Sequence, residues 1–209
     1  MEPLRAGNGE ADAAVAAVRA GKPIVIPTDT VYGLCANPYR SESVERAYAL
    51  KGREAGQPSA LLAADVDMLL ECMPELRSRL GPLLRELLPG PLTLVVPNPA
   101  NRYRWLTGSN PDAIGVRVPE LPPVSAGILA RVGALMATSA NLAGGPDPKR
   151  ADEVPDEIRA GCAAVIDGGE LPGTPSTVID ITGDEPAVLR EGAVPADEVL
   201  ARVANLSAQ

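Results

Sequence analysis

The residues of this 209-residue chain that could do chemistry form short polar clusters, and no histidine occurs anywhere. Without imidazole there is no Ser-His or Cys-His nucleophile pair, no imidazole base and no imidazole metal ligand. The clusters are Thr28-Asp29-Thr30, Lys51-Gly52-Arg53, Gly115-Val116-Arg117, Thr138-Ser139-Ala140-Asn141, Ser176-Thr177 and Arg190-Glu191-Gly192. Each alone fits an ordinary turn, a solvent-facing arginine or a charged helix end, but together they predict a shared anion pocket.

Most of these clusters follow predicted strands, where open α/β sheets usually bind ligands. Residues 24–26 form a β-branched run between two prolines, which predicts a buried strand entering the loop 28–33. Ser41–Lys51 carries apolar residues at helical spacing, and Gly52 follows as a left-handed cap. Lys51 falls on the apolar side of that helix, so its stem is predicted to face the core.

The rest of the sequence predicts one α/β domain with about seven strands and four to six helices. Residues 11–20 and 196–203 read as the first and last helices, and the leucine-rich stretch 66–88 reads as two or three short helices broken at Pro74 and Pro82. The other strands are predicted at 92–96, 114–118, 134–137, 163–166, 177–181 and 187–189. We predict a domain of residues 8–195 followed by a C-terminal helix or tail, 196–209.

Composition narrows the classes of function. The formal net charge is −8 and aromatic residues make up 2% of the chain, which argues against generic nucleic-acid binding. Cys35, Cys72 and Cys162 are odd in number and far apart, so we expect buried inert thiols and neither disulfides nor a zinc site. The polar N-terminus and the lack of a membrane-length apolar run predict no signal peptide and a cytoplasmic setting.

Eight motifs in order along the chain carry a family resemblance. They are Pro27-Thr-Asp-Thr-Val-Tyr-Gly-Leu34, Lys51-Gly-Arg53, Pro89-Gly-Pro-Leu-Thr93, Val116-Arg-Val-Pro119, Ser139-Ala-Asn141, Ile166-Asp-Gly-Gly169, Ser176-Thr-Val178 and Leu189-Arg-Glu-Gly192. Together they resemble the YrdC-like family of L-threonylcarbamoyladenylate synthases, over nearly the whole chain. The resemblance implies a single-domain twisted mixed α/β sheet with flanking helices and a deep cationic cavity, in the form that lacks the extra C-terminal domain of some relatives.

The resemblance also implies a reaction. L-Threonine and bicarbonate give an N-carboxylated amino acid, whose new carboxylate attacks the α-phosphorus of ATP, so that threonylcarbamoyl-AMP and diphosphate form. Such transfer depends on positioning and cations and needs no protein nucleophile. The implied cofactor is Mg²⁺, held largely by the phosphates with no protein carboxylate assigned to it. The implied product passes to a tRNA threonylcarbamoyl transferase complex to make N6-threonylcarbamoyladenosine, so tRNA is involved only indirectly.

Residue roles carry over by matching motif. The implied ATP-binding residues are Lys51, Arg53, Ser139, Asn141 and Arg190, the implied threonine-binding residues are Thr28, Arg117 and Ser176, and Thr30 and Tyr32 line the same loop. Lys51 and Arg53 are the implied catalytic pair, because they would neutralise charge on the transferring phosphate. Arg117 is the natural partner for the threonine carboxylate, since a guanidinium can donate two parallel hydrogen bonds to one carboxylate.

Departures from the family pattern keep two alternatives open. Glu54 stands where many relatives have proline, Gln57-Pro58-Ser59 replaces a Lys-Pro or Asn-Pro followed by leucine, and Leu62 stands where some have histidine. The first alternative is a nucleotide-binding paralogue with another amino-acid or carbamoyl substrate. The second is a non-catalytic RNA-binding module, on what would be a double-stranded-RNA-binding fold, although the acidic charge and scarce aromatics speak against it.

Overall fold

A computed structural model describes residues 8–53 and 56–207, so Glu54 lies outside the described residues. Its strands are β1 (Ile24–Pro27), β2 (Tyr32–Ala36), β3 (Ala60–Ala63), β4 (Leu92–Pro97), β5 (Ala113–Arg117), β6 (Ala134–Ser139), β7 (Ala164–Val165), β8 (Thr177–Asp180) and β9 (Ala187–Arg190). They form one sheet in the order β7-β1-β2-β6-β3-β5-β4-β8-β9. Three pairs, β1/β7, β3/β5 and β4/β8, are parallel and the rest are antiparallel, which confirms the predicted twisted mixed sheet.

Helices flank this sheet, as predicted, but the described residues contain seven rather than the expected four to six, and those at 123–132 and 156–161 were not predicted. The seven helices are α1 (Asn8–Arg19), α2 (Ser41–Lys51), α3 (Val66–Cys72), α4 (Gly81–Leu87), α5 (Pro123–Val132), α6 (Asp156–Gly161) and α7 (Ala196–Ser207). The stretch 66–88 breaks where its prolines require: Pro74 opens a short 3₁₀ turn after α3, and Pro82 lies in the first turn of α4. Gly52 adopts the predicted left-handed conformation, with φ of 62°, and ends α2.

The two faces of the sheet are covered to different extents. On the packed face, Leu61, Leu94 and Val116 point into the main core together with residues of α3, α4 and α7. On the opposite face, α1 and α5 cover one side, where Ile24 and Ile128 lie in a second core cluster. The cleft described below lies over the remaining strands of this opposite face. We call this opposite face the open face.

Two strands, β2 and β3, were not predicted. Residues 60–63 read Ala-Leu-Leu-Ala, a helix-favouring run without a β-branched residue. Residues 32–36 follow the polar loop without a break and also lack β-branched residues. Both strands lie inside the sheet, with β2 between β1 and β6 and β3 between β6 and β5. Pairing on two sides therefore overrides their weak local preference.

The last helix is integrated into the body of the protein. Val199 and Val203 of α7 are buried in the main core, and the Glu191 carboxylate accepts a hydrogen bond of 2.8 Å from the Ala196 N–H at the start of the helix. The division at residue 195 stays a prediction. Among the described residues no helix is long and apolar enough to cross a membrane. The three cysteines are free, Cys35 and Cys72 being buried and Cys162 half-buried.

Candidate active site in a cleft on the open face

A cleft of about 470 Å³ lies over the open face of the sheet. Alternate residues of four strands line it, for instance Gly115 and Arg117 of β5, Thr93 and Val95 of β4, and Val178 and Asp180 of β8. Alternation places such residues on one face. The prediction of a site beyond the ends of the strands was therefore wrong in detail, because the cleft runs across the strands.

Small residues form the floor of the cleft. Ala137, Ala60 and Gly115 are paired in register on neighbouring strands β6, β3 and β5, and all three line the cleft. Gly33 of β2 pairs with Ser139 at the same wall. Because none of these side chains extends beyond a methyl group except that of Ser139, a groove remains open between the larger side chains on either side.

The loop 28–31 is held by the Thr28 hydroxyl. Thr28 Oγ1 donates to the Val31 carbonyl at 2.6 Å and accepts from the backbone N–H groups of Thr30 and Val31 at 3.2 and 3.3 Å. It also lies 3.0 Å from Thr30 Oγ1. Local bonding of this kind is the usual reason for threonine in a tight turn. The loop is thereby fixed with both hydroxyls at the wall of the cleft.

Arg117 makes a buried ion pair with Asp29. The Nη2–Oδ1 distance is 2.7 Å, and the two side chains are only 11% and 8% exposed. Asp29 Oδ2 accepts the Glu120 N–H at 3.2 Å, and Arg117 Nη2 is 3.5 Å from Thr30 Oγ1. Burial raises the pKa of Asp29 against the opposing effect of Arg117, and burial lowers the pKa of Arg117 against the effect of Asp29. Arg117 Nε is buried without a hydrogen-bond partner.

Arg190 organises the neighbouring wall. Its Nε and Nη2 donate to the Ser176 carbonyl at 3.0 and 2.8 Å, and Nη2 is 3.1 Å from Ser176 Oγ. Ser176 Oγ in turn lies 2.8 Å from Thr93 Oγ1. Gly192 packs so closely on the backbone at Ser176 that a Cβ there would clash with it. Hydrogen bonds thus connect the motifs that contain Thr93, Ser176 and Arg190. We give the name Arg117 corner to these three residues together with Arg117, Asp29, Thr28 and Thr30.

Arg53 is held by neutral oxygens. Its Nη1 donates to Thr138 Oγ1 at 2.8 Å, Nε donates to the Gln57 carbonyl at 3.3 Å, and Nη2 bonds the Pro58 carbonyl. The guanidinium also lies over the Tyr48 ring, 5.6 Å from its centroid. Burial lowers the pKa of Arg53. Arg53, Thr138, Ser139 and Asp147 line the cleft together, and we call this part the Arg53 corner.

Lys51 lies behind that corner. It is 5% exposed, as the predicted core-facing position requires, and its Nζ donates to the Ser139 and Asn141 carbonyls at 2.7 and 2.9 Å and to Asn141 Oδ1. Ser139 Oγ donates to the same Oδ1 at 2.6 Å. Burial lowers the pKa of Lys51 to about 8, with a further lowering by Arg53. The ammonium therefore holds the 139–141 turn that forms the wall of the cleft.

The structure brings most of the predicted site residues together. Those that line the cleft are Thr28, Thr30, Arg53, Arg117, Ser139, Ser176 and Arg190. Lys51 and Asn141 bond to each other immediately behind Ser139. Tyr32 is fully buried, and its hydroxyl donates to the Gly169 carbonyl at 2.8 Å and accepts the Gly168 N–H at 3.0 Å, so it braces the 167–169 loop. Their individual roles toward ligands stay predictions.

Several cleft residues had no sequence signal of their own. Asp147 and Asn110 line the cleft from segments without secondary structure, and neither lies in a quoted motif. Tyr48, which lies under Arg53, reads from the sequence as one more apolar position of α2. Asp29 and Thr93 lie within quoted motifs, but only the fold reveals their partners, Arg117 and Ser176.

The charge of the cleft is mixed. Three arginines and two aspartates, Asp147 and Asp180, line it, so the predicted cationic character stays a prediction. No cluster of three or more His, Cys, Asp or Glu that could hold a metal occurs in residues 8–53 and 56–207. Asp147 is close enough to Lys51 to raise the pKa of that ammonium. This donor set fits an ion bound mostly by a ligand's phosphates and waters.

Comparisons with known proteins give the family. The family model of the Sua5, YciO and YrdC proteins, described as telomere recombination, matches residues 16–192. Threonylcarbamoyl-AMP synthase of Pyrococcus abyssi is 36% identical over 87% of this chain and 54% of its own length. The counterpart of Bacillus subtilis is 30% identical over 89% of this chain and 54% of its own length. This chain therefore spans about half the length of these two relatives.

Shorter relatives and solved structures agree with this. The putative threonylcarbamoyl-AMP synthase of Mycobacterium tuberculosis H37Rv is 34% identical over 89% of this chain and 85% of its own length. P. abyssi Sua5 complexed with L-threonine superposes with a TM-score of 0.86 at 33% identity, covering 95% of this chain and 58% of that one. E. coli YciO gives 0.79 at 27% identity, covering 95% and 96%. The chain belongs to the Sua5/YciO/YrdC family.

Proposed function

We propose that this protein is an L-threonylcarbamoyladenylate synthase, which converts L-threonine, bicarbonate and ATP to threonylcarbamoyl-AMP and diphosphate. The observation that carries the proposal is the single cleft that contains both the Arg53 and the Arg117 corners. Two groups of cations and hydroxyls in one space suit two substrates that must react with each other. The names of the longer relatives, and the threonine bound in P. abyssi Sua5, support the same function.

The Arg117 corner is the proposed threonine site. The hydrogen bonds that Arg117 makes to the described residues all involve Nη2, so the guanidinium keeps other donors for a carboxylate that enters the cleft. The hydroxyls of Thr28, Thr30 and Ser176 offer further donors and acceptors at the same wall, and Leu62 and Val178 provide apolar contact for a methyl group. A small amino acid with a hydroxyl and a methyl matches this lining.

The Arg53 corner is the proposed triphosphate site. Arg53 keeps its full charge because its protein partners there are neutral oxygens, and Lys51 adds a second cation immediately behind. Ser139 contributes a hydroxyl at the wall. We assign the nucleotide to Lys51, Arg53, Ser139, Asn141 and Arg190. Lys51 would act through the 139–141 turn that it holds, as well as by its charge.

The chemistry then requires positioning and charge neutralisation. The threonine amine and bicarbonate form a carbamate with loss of water, and a carbamate oxygen attacks the α-phosphorus in line as the bond to the diphosphate oxygen breaks. No protein nucleophile takes part, in keeping with the absence of histidine. Mg²⁺, bound by the phosphates with Asp147 as the nearby carboxylate, would neutralise phosphate charge. Arg53 would bind the same phosphates and hold them in line, while Lys51 would fix the 139–141 turn beside them and add its charge.

The proposed product is a mixed anhydride that serves N6-threonylcarbamoyladenosine formation in tRNA. We propose that it passes to a separate threonylcarbamoyl transferase complex, so that this chain meets tRNA only indirectly and works in the cytoplasm. The net charge of −8 supports the indirect role, since direct phosphate contacts need a basic surface.

A specific observation favours one alternative, a paralogue with another amino acid. Ser59 and Leu62, which depart from the family pattern, both line the cleft. Ser59 Oγ bonds the Tyr48 hydroxyl, and Leu62 is paired with Arg117 in the sheet. The change at Leu62 alters the proposed amino-acid site, and the change at Ser59 alters the contact beneath Arg53, so together they change the shape of the cleft and the substrate that fits best.

Measuring diphosphate release separates these functions. The purified chain receives ATP, Mg²⁺ and bicarbonate with L-threonine, L-serine or no amino acid. The proposal predicts release that depends on both threonine and bicarbonate and is slower with serine, which lacks the methyl group. Faster release with another amino acid supports the paralogue. No release, together with salt-sensitive tRNA binding, refutes the proposal in favour of an RNA-binding module.

A further inference from the structure

Asp29 has no place in the proposed reaction, yet it forms the most buried ion pair of the described residues. Its carboxylate bonds Arg117 Nη2 at 2.7 Å and the Glu120 N–H at 3.2 Å, and its side chain is 8% exposed. Burying a carboxylate costs several kcal/mol unless it is paired. Asp29 is not among the residues that line the cleft, whereas Arg117 is. Asp29 therefore acts on the cleft through Arg117.

Without Asp29, Arg117 would become a second uncompensated cation next to Arg190, which is assigned above to the nucleotide. Arg190 lies close enough to Arg117 to lower the pKa of its guanidinium. Arg190 itself bonds the Ser176 carbonyl and hydroxyl, which are neutral acceptors. Two arginines beside several hydroxyls are a good phosphate site. Phosphate bound at Arg190 would then extend onto Arg117 and occupy the threonine site.

We propose that Asp29 is a specificity-determining residue, which cancels the charge of Arg117 so that this arginine accepts a singly charged carboxylate and rejects phosphate. The proposal rests on the function proposed above. Asp29 and Thr30 occupy Nη2, while Nε remains buried and unpaired. The donors that remain on this neutralised guanidinium suit a single carboxylate. A polyphosphate would instead bring several negative charges next to the Asp29 carboxylate, which is repulsive in a buried site.

A purely structural role for Asp29 makes a different prediction. If the carboxylate served only to fix the guanidinium and the Glu120 backbone, its removal would weaken threonine binding or stability. It would not create a new affinity for phosphate at the threonine site. Only the loss of charge cancellation would let phosphate compete with threonine. A measurement of this competition therefore distinguishes the two roles of Asp29.

The test is a calorimetric titration of L-threonine into the full chain, with and without saturating inorganic tripolyphosphate. The variants are Asp29→Asn, which keeps an acceptor for Arg117 but removes the charge, and Asp29→Glu, which keeps the charge. Asp12→Asn is the matched control. It removes one negative charge from an exposed pair with Arg131, in which Asp12 is 62% exposed. The threonine affinity of each variant is compared with and without tripolyphosphate, so a change in its intrinsic affinity for threonine does not affect the result.

In the wild type, Asp29→Glu and Asp12→Asn, tripolyphosphate is expected to leave the threonine affinity within about twofold. In Asp29→Asn it is expected to weaken apparent threonine affinity about tenfold or more, which corresponds to about 1.4 kcal/mol. An unchanged affinity in Asp29→Asn overturns the proposal, and so does equal weakening in Asp12→Asn.

The wild type alone also tests the proposal, whether or not Asp29→Asn folds. Strong competition between tripolyphosphate and threonine in the unaltered chain would show that Asp29 does not exclude phosphate. A wild type that binds no threonine at all would refute the proposed function. A wild type that binds threonine without the predicted difference in Asp29→Asn refutes only the role of Asp29.

Discussion

The two corners of the cleft hold their arginines in opposite ways. Arg117 is paired with a buried carboxylate, and its buried Nε has no hydrogen-bond partner. Arg53 is bonded to Thr138, Gln57 and Pro58 through neutral oxygens and lies over an aromatic ring. Asp147 lies in the same corner, but it acts on Lys51, and no acid is among the groups that shift the pKa of Arg53. One arginine is therefore neutralised and the other keeps its charge.

The difference shows how one cleft can keep two anions apart. A polyanion gains most where cations are uncompensated, while a single carboxylate needs one aligned donor more than it needs net charge. Both arginines are held rigidly, so each would meet its ligand with little loss of side-chain entropy. Substitutions at the two corners should consequently differ in how much they destabilise the fold, in which substrate they affect and in how their effect depends on pH.

The largest effect is expected from Arg117→Ala. The substitution leaves Asp29 buried without its partner, which costs about 3–5 kcal/mol in comparable cases. Denaturant unfolding should show this loss, and threonine binding should become undetectable while ATP binding is retained. The double variant Arg117→Met with Asp29→Leu should recover stability but not threonine binding, because no buried charge remains. Equal losses in the single and double variants would contradict the ion-pair account.

Arg53→Ala should have the reverse profile. Its partners are neutral and partly exposed to the cleft, so the free energy of unfolding should change by only about 1 kcal/mol. Loss of a cation at the transferring phosphate should reduce turnover about 10²–10³-fold. Lys51→Ala should also abolish turnover, but with a larger loss of stability, since the 139–141 turn loses its donor. Steady-state kinetics and thermal melting of Arg53→Ala and Lys51→Ala check these predictions. Unchanged turnover in both variants would show that the phosphate site is elsewhere.

Gly108→Ala tests how the Arg53 corner is supported. Gly108 has φ of 65°, and a Cβ there would clash with the Gly56 carbonyl, whose neighbours Gln57 and Pro58 bond Arg53. Backbone strain of this kind costs about 1–3 kcal/mol. KM for ATP should rise while threonine affinity stays the same. Gly127→Ala, in a helix with open space at its Cβ, is the matched control and should behave as the wild type.

A pH titration gives the smallest expected effect. Burial lowers the pKa of Lys51 from 10.5 to about 8. ATP affinity should fall about tenfold as the pH rises from 7 to 9.5, because a charge-assisted contribution is lost. Stability moves the other way: between these pKa values the unfolded chain binds more protons, so this group makes the free energy of unfolding rise with pH. ATP affinity that stays constant to pH 9.5 would contradict the assignment.

The sequence predicts parts of this molecule that depend on local rules. The helix Ser41–Lys51, its Gly52 cap and the proline-broken stretch 66–88 follow from spacing and backbone preference, and the structure confirms them. The strand 60–63 could not be found in this way, because its pairing partners on β5 and β6 are far away in sequence. For the same reason the cleft was predicted at the strand ends rather than across them.

The candidate site shows a similar limit. The residue types needed for anion binding, and their gathering into one cleft, follow from the motifs. What each cation is bonded to does not: the pair of Arg117 with Asp29 joins two motifs 88 positions apart. The support of Arg53 by the segment near Gly108 depends on a contact between two glycine-containing loops. Such contacts determine how much charge each arginine presents to the cleft and how firmly it is held. They depend on the folded chain and not on the local sequence.

The central claim is tested most directly by a crystal structure of the chain with threonine and a non-hydrolysable ATP analogue. We predict the threonine carboxylate on the Arg117 guanidinium, beside Thr28 and Ser176, and the triphosphate at Arg53 and Ser139. Threonine at Arg53, or phosphates bound at Arg117 with the Asp29 pair intact, would contradict the account.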